Sequence, residues 1–126
     1  MTVGFTPEQE SIRDGVARLC AGYGLDYWLA RDRDGEFPDD FVADLAAAGW
    51  LGIAMPTAYG GSGLGVTEAA IMMQAIAESG AAMSGASAVH INIFGLNPVV
   101  VFGTEEQKRR FLPPLIKGRE DRKSVV

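Results

Sequence analysis

The sequence predicts an all-α fold, a helical bundle of about five to six helices, and three observations support this prediction. Apolar residues recur at helical spacing in most segments of the chain. Residues that typically start a helix stand directly before several of these segments. No run alternates apolar and polar residues with the period of two that a half-buried strand requires. The 126 residues are enough for one domain with a hydrophobic core.

Three helices are predicted in the amino-terminal part of the chain. Thr6 and Gln9 form a capping-box pattern with proline at the first helical position, so the first helix is expected over residues 7–21. A weaker helical pattern over residues 25–33 predicts a short second helix. Pro38, followed by two aspartates, predicts the start of a third helix, because carboxylates are favourable near the positive end of the helix dipole. Gly49 is expected to end that helix.

The middle of the chain is expected to be a buried connector followed by a loop. Residues 50–56 are apolar, few in number and end in proline, which favours an extended buried segment over a helix. Residues 59–65 include four glycines and predict a loop. Val66 stands where a dinucleotide-binding motif needs its third glycine, and Leu64 stands where a nucleophile elbow needs glycine. A structural role for this loop is therefore expected.

The carboxyl-terminal part of the chain predicts further helices. Residues 67–79 are apolar nearly all round, which is typical of a helix enclosed by its neighbours, and a second mostly apolar helix is expected over residues 83–96. A short helical turn should follow over residues 99–102. The last helix is expected to begin at Thr104, in a second capping box, and to be bent or restarted at the proline pair that begins with Pro113.

The composition argues against several classes of function. With 11 basic and 16 acidic residues, the net charge of -5 makes nucleic acid an unfavourable partner. The single cysteine, Cys20, is expected to be a small buried hydrophobic residue. One histidine, His90, gives little material for a metal site or a serine triad.

Membrane insertion and export are not expected from the sequence. The longest apolar stretch, residues 86–102, is interrupted by polar residues and is too short to cross a bilayer. The first ten residues lack the order of a signal peptide, and a cytoplasmic location is the simplest interpretation.

One helix face combines polar and apolar side chains in a way that suits a binding pocket. Ser87, His90, Ile91 and Phe94 follow the spacing i, i+3, i+4 and i+7, so they share one face of the predicted helix. A mainly apolar surface with a few polar groups is typical of a small-molecule pocket. The structural alternative is that His90 is a satisfied core histidine and that Ser87 bonds to its own helix. No catalytic, cofactor-binding or metal-ligating residue is assigned.

The order and spacing of several short motifs resemble the amino-terminal domain of acyl-CoA dehydrogenases. Each motif is weak alone, but together they are specific and extend over residues 5–118. They are Trp50-Leu51-Gly52-Ile53, Pro56, the segment Tyr59-Gly60-Gly61-Ser62-Gly63-Leu64-Gly65, the buried helix pair, Asn97-Pro98-Val99, Gly103-Thr104-Glu105-Glu106-Gln107-Lys108 and Phe111-Leu112-Pro113.

This resemblance implies a helical first domain in a larger FAD-dependent enzyme that oxidises acyl-CoA to trans-2-enoyl-CoA. In such an enzyme a carboxylate removes the α-proton, and the flavin accepts the β-hydrogen as hydride. The resemblance also implies middle and carboxyl-terminal domains as partners, and a homo-oligomer. The helix matching residues 83–96 faces the acyl chain in that family, so Ser87, His90, Ile91 and Phe94 become candidates for the wall of the acyl pocket.

The resemblance ends at about Gly118, where family members continue into a strand and a flavin-contacting signature. Residues 119–126 form a charged tail that departs from the family pattern and carry no such signature. The chain is therefore expected to be a truncated domain that binds no flavin by itself and is inactive alone. Two alternatives stay open: a free-standing helical interaction module, and the amino-terminal domain of a related flavin monooxygenase.

Overall fold

The computed structural model describes residues 4–118, and all regular structure in that range is helical. The predicted charged tail, residues 119–126, lies outside the described residues. The prediction of an all-α fold is confirmed. The α-helices are α1 (Pro7–Ala21), α2 (Leu25–Asp34), α3 (Asp39–Ala47), α4 (Val66–Glu78), α5 (Ala82–Phe94), the short α6 (Asn97–Phe102) and α7 (Glu105–Ile116). Two 3₁₀ helices, Trp50–Gly52 and Thr57–Tyr59, lie between α3 and α4.

The first helix starts as its sequence predicts. The backbone N–H of Gln9 donates to Thr6 Oγ1 over 3.2 Å, and the N–H of Thr6 donates to Gln9 Oε1 over 3.0 Å. These two bonds satisfy donors that would otherwise be unpaired at the helix start. Ile12, Val16 and Cys20 are buried on the inner side of α1, which confirms the prediction for the cysteine.

Helix α4 lies at the centre of the domain, between α1 and α5. Its buried side chains are Ala69, Ile71, Met72, Ala75 and Ile76. On α5, a Cβ added to Gly85 would lie 3.1 Å from Ile76 Cγ2 and 3.4 Å from the ring of Trp28. Glycine therefore permits the close approach of α5 to its neighbours. The expectation that α4 is enclosed on most sides is met where it packs against α1 and α5, but Ala70, Gln74 and Ala77 on its remaining side are exposed.

A second, smaller hydrophobic cluster forms beneath α7. It consists of Met55, Leu96, Leu112, Leu115 and Ile116. Helix α7 begins in the predicted capping box, since Gln107 N–H donates to Thr104 Oγ1 over 3.2 Å. The helix is not restarted at Pro113, because it continues to Ile116 and the Pro113 carbonyl accepts a bond from Lys117 N–H over 3.2 Å. The fixed φ of proline suits a helix, and burial of the surrounding apolar residues offsets the missing N–H donors.

The connector before α4 differs from the expected extended segment. Its burial is confirmed at Leu51, Ile53 and Met55, which are at most 2% exposed. The backbone turns tightly, however, because Ile53 N–H bonds to Trp50 O over 3.2 Å and Met55 N–H bonds to Gly52 O over 3.0 Å. These local bonds satisfy polar backbone groups that an isolated extended strand would bury without partners.

The glycine-rich loop after the connector is a packed structural element. Backbone N–H groups of Gly61, Ser62, Gly63 and Leu64 donate to carbonyls of Pro56, Gly52, Met55 and Ile53. A Cβ on Gly61 would lie 2.2 Å from the Met55 carbonyl oxygen, so only glycine fits there. The Tyr59 hydroxyl donates to the Glu105 carboxylate, and this bond both ties the loop to α7 and raises the pKa of Tyr59.

The apolar carboxyl-terminal half of the domain contains one segment that could span a membrane by length and composition alone. It comprises the 21 residues Ala82–Phe102, and an 18-residue part of it has a mean hydropathy of 1.4. In the structure this segment contains α5 and α6, and α5 packs against α4 in the core. A core helix meets the same criterion, so the expected absence of a membrane span stays a prediction.

Candidate functional site

A tight turn between α4 and α5 sets the direction of the helix that carries the predicted site. The Ser79 hydroxyl donates to Ile76 O over 2.6 Å and accepts from Ala81 N–H over 3.1 Å, so one side chain connects both helix ends. Ala82 then adopts φ 45°, in the left-handed region that residues other than glycine seldom occupy. This strained turn directs α5 back across α4.

Helix α5 presents two different sides. Its buried residues are Gly85, Ala86, Ala88, Val89, Asn92 and Ile93. The opposite side carries the four predicted residues: Ser87, His90 and Ile91 are exposed, and Phe94 is half-buried. The structure thus brings the four side chains together on one outward face, which we call the α5 face. No Asp, Glu, Lys or Arg occurs anywhere from Ser79 to Thr104, so the α5 face carries no side chain of these four types.

His90 does not occupy the protein core, so the interpretation as a satisfied core histidine is wrong. The ring is exposed and lies against Phe94, with 5.3 Å between ring centroids and 47° between ring planes. Within residues 4–118, the side chains of His90 and Ser87 form no hydrogen bond, so the Ser87 hydroxyl does not bond to its own helix either. Both residues lie on the side of α5 opposite to its buried residues, which are Gly85, Ala86, Ala88, Val89, Asn92 and Ile93.

Sequence reasoning missed one member of the α5 face. Met83 is 75% exposed and precedes Ser87 by one helical turn, so it extends the apolar surface toward the start of α5. Its spacing of i−4 from Ser87 was the signal that could have identified it. Beyond the end of α5, Val101 and Phe102 are also exposed, at 58% and 84%. Large exposed apolar side chains of this kind mark surfaces that contact a ligand or another protein segment.

The glycine-rich loop has no free backbone donors for a phosphate, and the described residues form no cluster of metal ligands. All four N–H groups of the loop from Gly61 to Leu64 are already bonded to backbone carbonyls, so none is free to hold a phosphate. Across residues 4–118, no group of three or more His, Cys, Asp or Glu side chains could bind a metal ion. The loop is therefore a structural element and not a phosphate cradle.

A groove elsewhere on the described surface suits an acyl chain less well than the α5 face does. It lies between α1, the start of α2 and the end of α4, and its lining includes Arg13, Asp14 and Glu78. Charged groups lose hydration when an alkyl chain covers them, which is unfavourable. Cys20 also borders this groove, but burial raises the pKa of its thiol and thus disfavours the reactive thiolate.

Comparisons with known proteins agree with the α-helical architecture. The family model of the acyl-CoA dehydrogenase N-terminal domain matches residues 6–119. Acyl-CoA dehydrogenase FadE12 of Mycobacterium tuberculosis is 33% identical over 113 residues, covering 88% of this chain and 28% of that protein. Mitochondrial isovaleryl-CoA dehydrogenase of Pongo abelii is 35% identical over 117 residues, or 91% of this chain and 27% of that protein.

Solved structures show the same fold. A chain from the structure of an electron transferring flavoprotein of Acidaminococcus fermentans matches with a TM-score of 0.81 and 26% identity, over 94% of this chain and 31% of its own length. A chain of the ChsE4-ChsE5 complex of Mycobacterium tuberculosis matches with a TM-score of 0.69 and 28% identity, over 96% of this chain and 30% of its own length.

Both kinds of comparison identify one domain of a larger architecture. The chain spans 28% or less of the length of FadE12 and isovaleryl-CoA dehydrogenase. The matched region begins at residue 6, where the α1 capping box begins, and ends at residue 119, one residue after the described structure ends. The chain belongs to the acyl-CoA dehydrogenase family and corresponds to its N-terminal domain.

Proposed function

We propose that this chain acts as the N-terminal domain of a FAD-dependent enzyme that converts acyl-CoA to trans-2-enoyl-CoA, and that the α5 face forms part of the acyl-pocket wall. The observation that carries the proposal is the orientation of this face. Its side chains include no Asp, Glu, Lys or Arg, and they point out of a domain that spans about a quarter of its relatives' length. A surface of this kind is suited to being covered by the remainder of an enzyme together with an alkyl chain.

In this proposal the chain contributes binding and shape to the reaction. Ile91 and Phe94 would contact the alkyl chain and exclude water from it. FAD, when bound by the other domains, supplies the hydride acceptor, and those domains also supply the catalytic carboxylate and the subunit contacts of a homo-oligomer. This proposal assigns neither the flavin nor the catalytic carboxylate to the residues described here, so the isolated chain is expected to be colourless and inactive.

A hybrid enzyme tests this assignment. Residues 6–118 would replace the matching domain of Mycobacterium tuberculosis FadE12, and flavin absorbance and acyl-CoA-dependent dye reduction would be measured. Ile91→Trp should lower kcat/KM for acyl-CoA by about tenfold or more, because the indole fills space on the wall, while flavin content stays unchanged. Leu29→Trp is the matched control, since Leu29 is 64% exposed on α2. A hybrid in which both variants keep the parental kcat/KM would exclude the α5 face as a pocket wall.

A free-standing interaction module is the second candidate, and the exposure of Val101 and Phe102 favours it. In that case a protein partner would cover these side chains and no flavin-containing hybrid would form. Analytical ultracentrifugation of the chain alone separates the two functions further. Self-association that Phe102→Ser abolishes, with no hybrid activity, would support the module. A monomeric chain that yields an active hybrid would support the enzyme domain.

A further inference from the structure

Two side chains on the α5 face can form hydrogen bonds, and both lack a partner in the described domain. They are Ser87 and His90, one helical turn apart. The half-buried hydroxyls of Tyr23 and Tyr59 do have partners within the domain, since Tyr23 donates to Asp44 and Tyr59 donates to Glu105. The pair on α5 is therefore open to an external ligand.

The imidazole is nevertheless held in place. Its ring packs against Phe94 at 5.3 Å between centroids, and Ile91 lies beside it on the same face. An aromatic neighbour at this distance restricts the ring by direct contact. A restrained polar group surrounded by apolar side chains is the arrangement by which pockets fix the orientation of a ligand.

Covering this face with a plain alkyl chain would have an energetic cost. The hydroxyl of Ser87 and a ring nitrogen of His90 would lose water and gain no hydrogen bond in return. An acyl group with an oxygen atom at the right position would replace the lost water. Sites that contain such polar groups discriminate strongly against ligands that leave them unpaired.

We propose that Ser87 and His90 select acyl groups that carry an oxygen-bearing substituent, such as a hydroxyl, over plain alkyl groups of the same length. This inference rests on the proposed function, because it requires the α5 face to meet the acyl chain. It goes further by assigning a substrate class to two named residues.

The experiment uses the full 126-residue chain and its single histidine, whose imidazole C–H signals are unique in an NMR spectrum. The probes are the hexanoyl thioester of CoA and hydroxyhexanoyl thioesters with the hydroxyl at successive carbons beyond the β-carbon. At least one hydroxylated isomer should shift the His90 signals and bind about tenfold more tightly than the plain thioester.

Variants show whether the two residues cause this preference. Ser87→Ala should reduce it, and so should His90→Phe when binding is followed by the backbone amide signals of α5. His90→Gln, which keeps a hydrogen-bonding group, should retain part of it. Leu29→Ala on α2 is the control and should leave the preference unchanged.

The outcomes separate this inference from the proposal on which it rests. If plain and hydroxylated thioesters bind to α5 equally well, or if His90→Phe keeps the full preference, the selection by Ser87 and His90 is overturned while the pocket wall stands. If no thioester perturbs α5, the selection is overturned, whereas the pocket wall is decided separately by the kcat/KM of the Ile91→Trp hybrid.

Discussion

The substitution Gly61→Ala should destabilise the domain more than its position in a surface loop suggests. The new Cβ would lie 2.2 Å from the carbonyl oxygen and 2.6 Å from the carbonyl carbon of Met55, distances that no methyl group can occupy. The loop must therefore move away from the connector. Four backbone hydrogen bonds join the two segments, from the N–H groups of Gly61, Ser62, Gly63 and Leu64.

The expected magnitude follows from these bonds. If three of the four are lost at about 1 kcal/mol each, the free energy of unfolding falls by about 3 kcal/mol. Gly60→Ala is the matched control, because its φ is +96° but nothing lies within 4 Å of the added Cβ. It carries only the cost of a left-handed alanine, about 1 kcal/mol.

Urea unfolding followed by tryptophan fluorescence measures both variants, since Trp28 is buried and becomes exposed on unfolding. The order of the two effects is the decisive result. A Gly61→Ala domain that is as stable as Gly60→Ala would refute the steric argument and the structural role of the loop.

Two further predictions concern single positions. Cys20 should resist thiol reagents in the folded chain at neutral pH and react only on unfolding. Because burial raises the pKa of its thiol in the folded state, the thiol should contribute its full share to the free energy of unfolding below about pH 8.5. Above that pH the free energy of unfolding should decline, and it should decline less in Cys20→Ala. Chemical labelling and urea unfolding across that pH range would show this, and rapid labelling of folded protein would contradict it. Ala82→Gly should raise the midpoint of thermal unfolding, because glycine relieves about 1 kcal/mol of backbone strain at φ 45°. Ala88→Gly within α5 is the control and should lower the midpoint. A lower midpoint for Ala82→Gly would count against backbone strain at this position.

The helix starts were predictable because their signals are local. Thr6 and Thr104 each bond to a residue three positions later, so the pattern in the sequence and the bond in the structure involve the same few residues. The conformation of Trp50–Gly52 was not predictable in this way. Its turns are supported by packing against α3, α5 and α7. Since α5 and α7 lie far along the chain, a short stretch of sequence does not show these contacts.

The sequence predicted which side chains of the candidate site share one helix face, but it did not predict whether that face is exposed. Helical spacing placed Ser87, His90, Ile91 and Phe94 on one face, and the structure keeps them together. Spacing did not show whether that face pointed inward. Both sides of α5 mix polar and apolar residues, since Asn92 is buried whereas Ser87 and His90 are exposed. Periodicity alone therefore gives no direction, which is set by how the helix packs against α4. The exposure of His90 is therefore a tertiary property.

The placement of α5 between two hydrophobic clusters has a mechanical consequence. Ile93 belongs to the larger cluster with α4, whereas Leu96, just after the helix, belongs to the smaller cluster under α7. A shift of α5 away from a ligand would open both clusters at once, and close-packed interiors resist such displacement. The backbone of the α5 face is consequently rigid, so a ligand that binds there must adjust its own conformation. On the protein side, only rotation of side chains such as Met83 or Phe94 can accommodate the ligand.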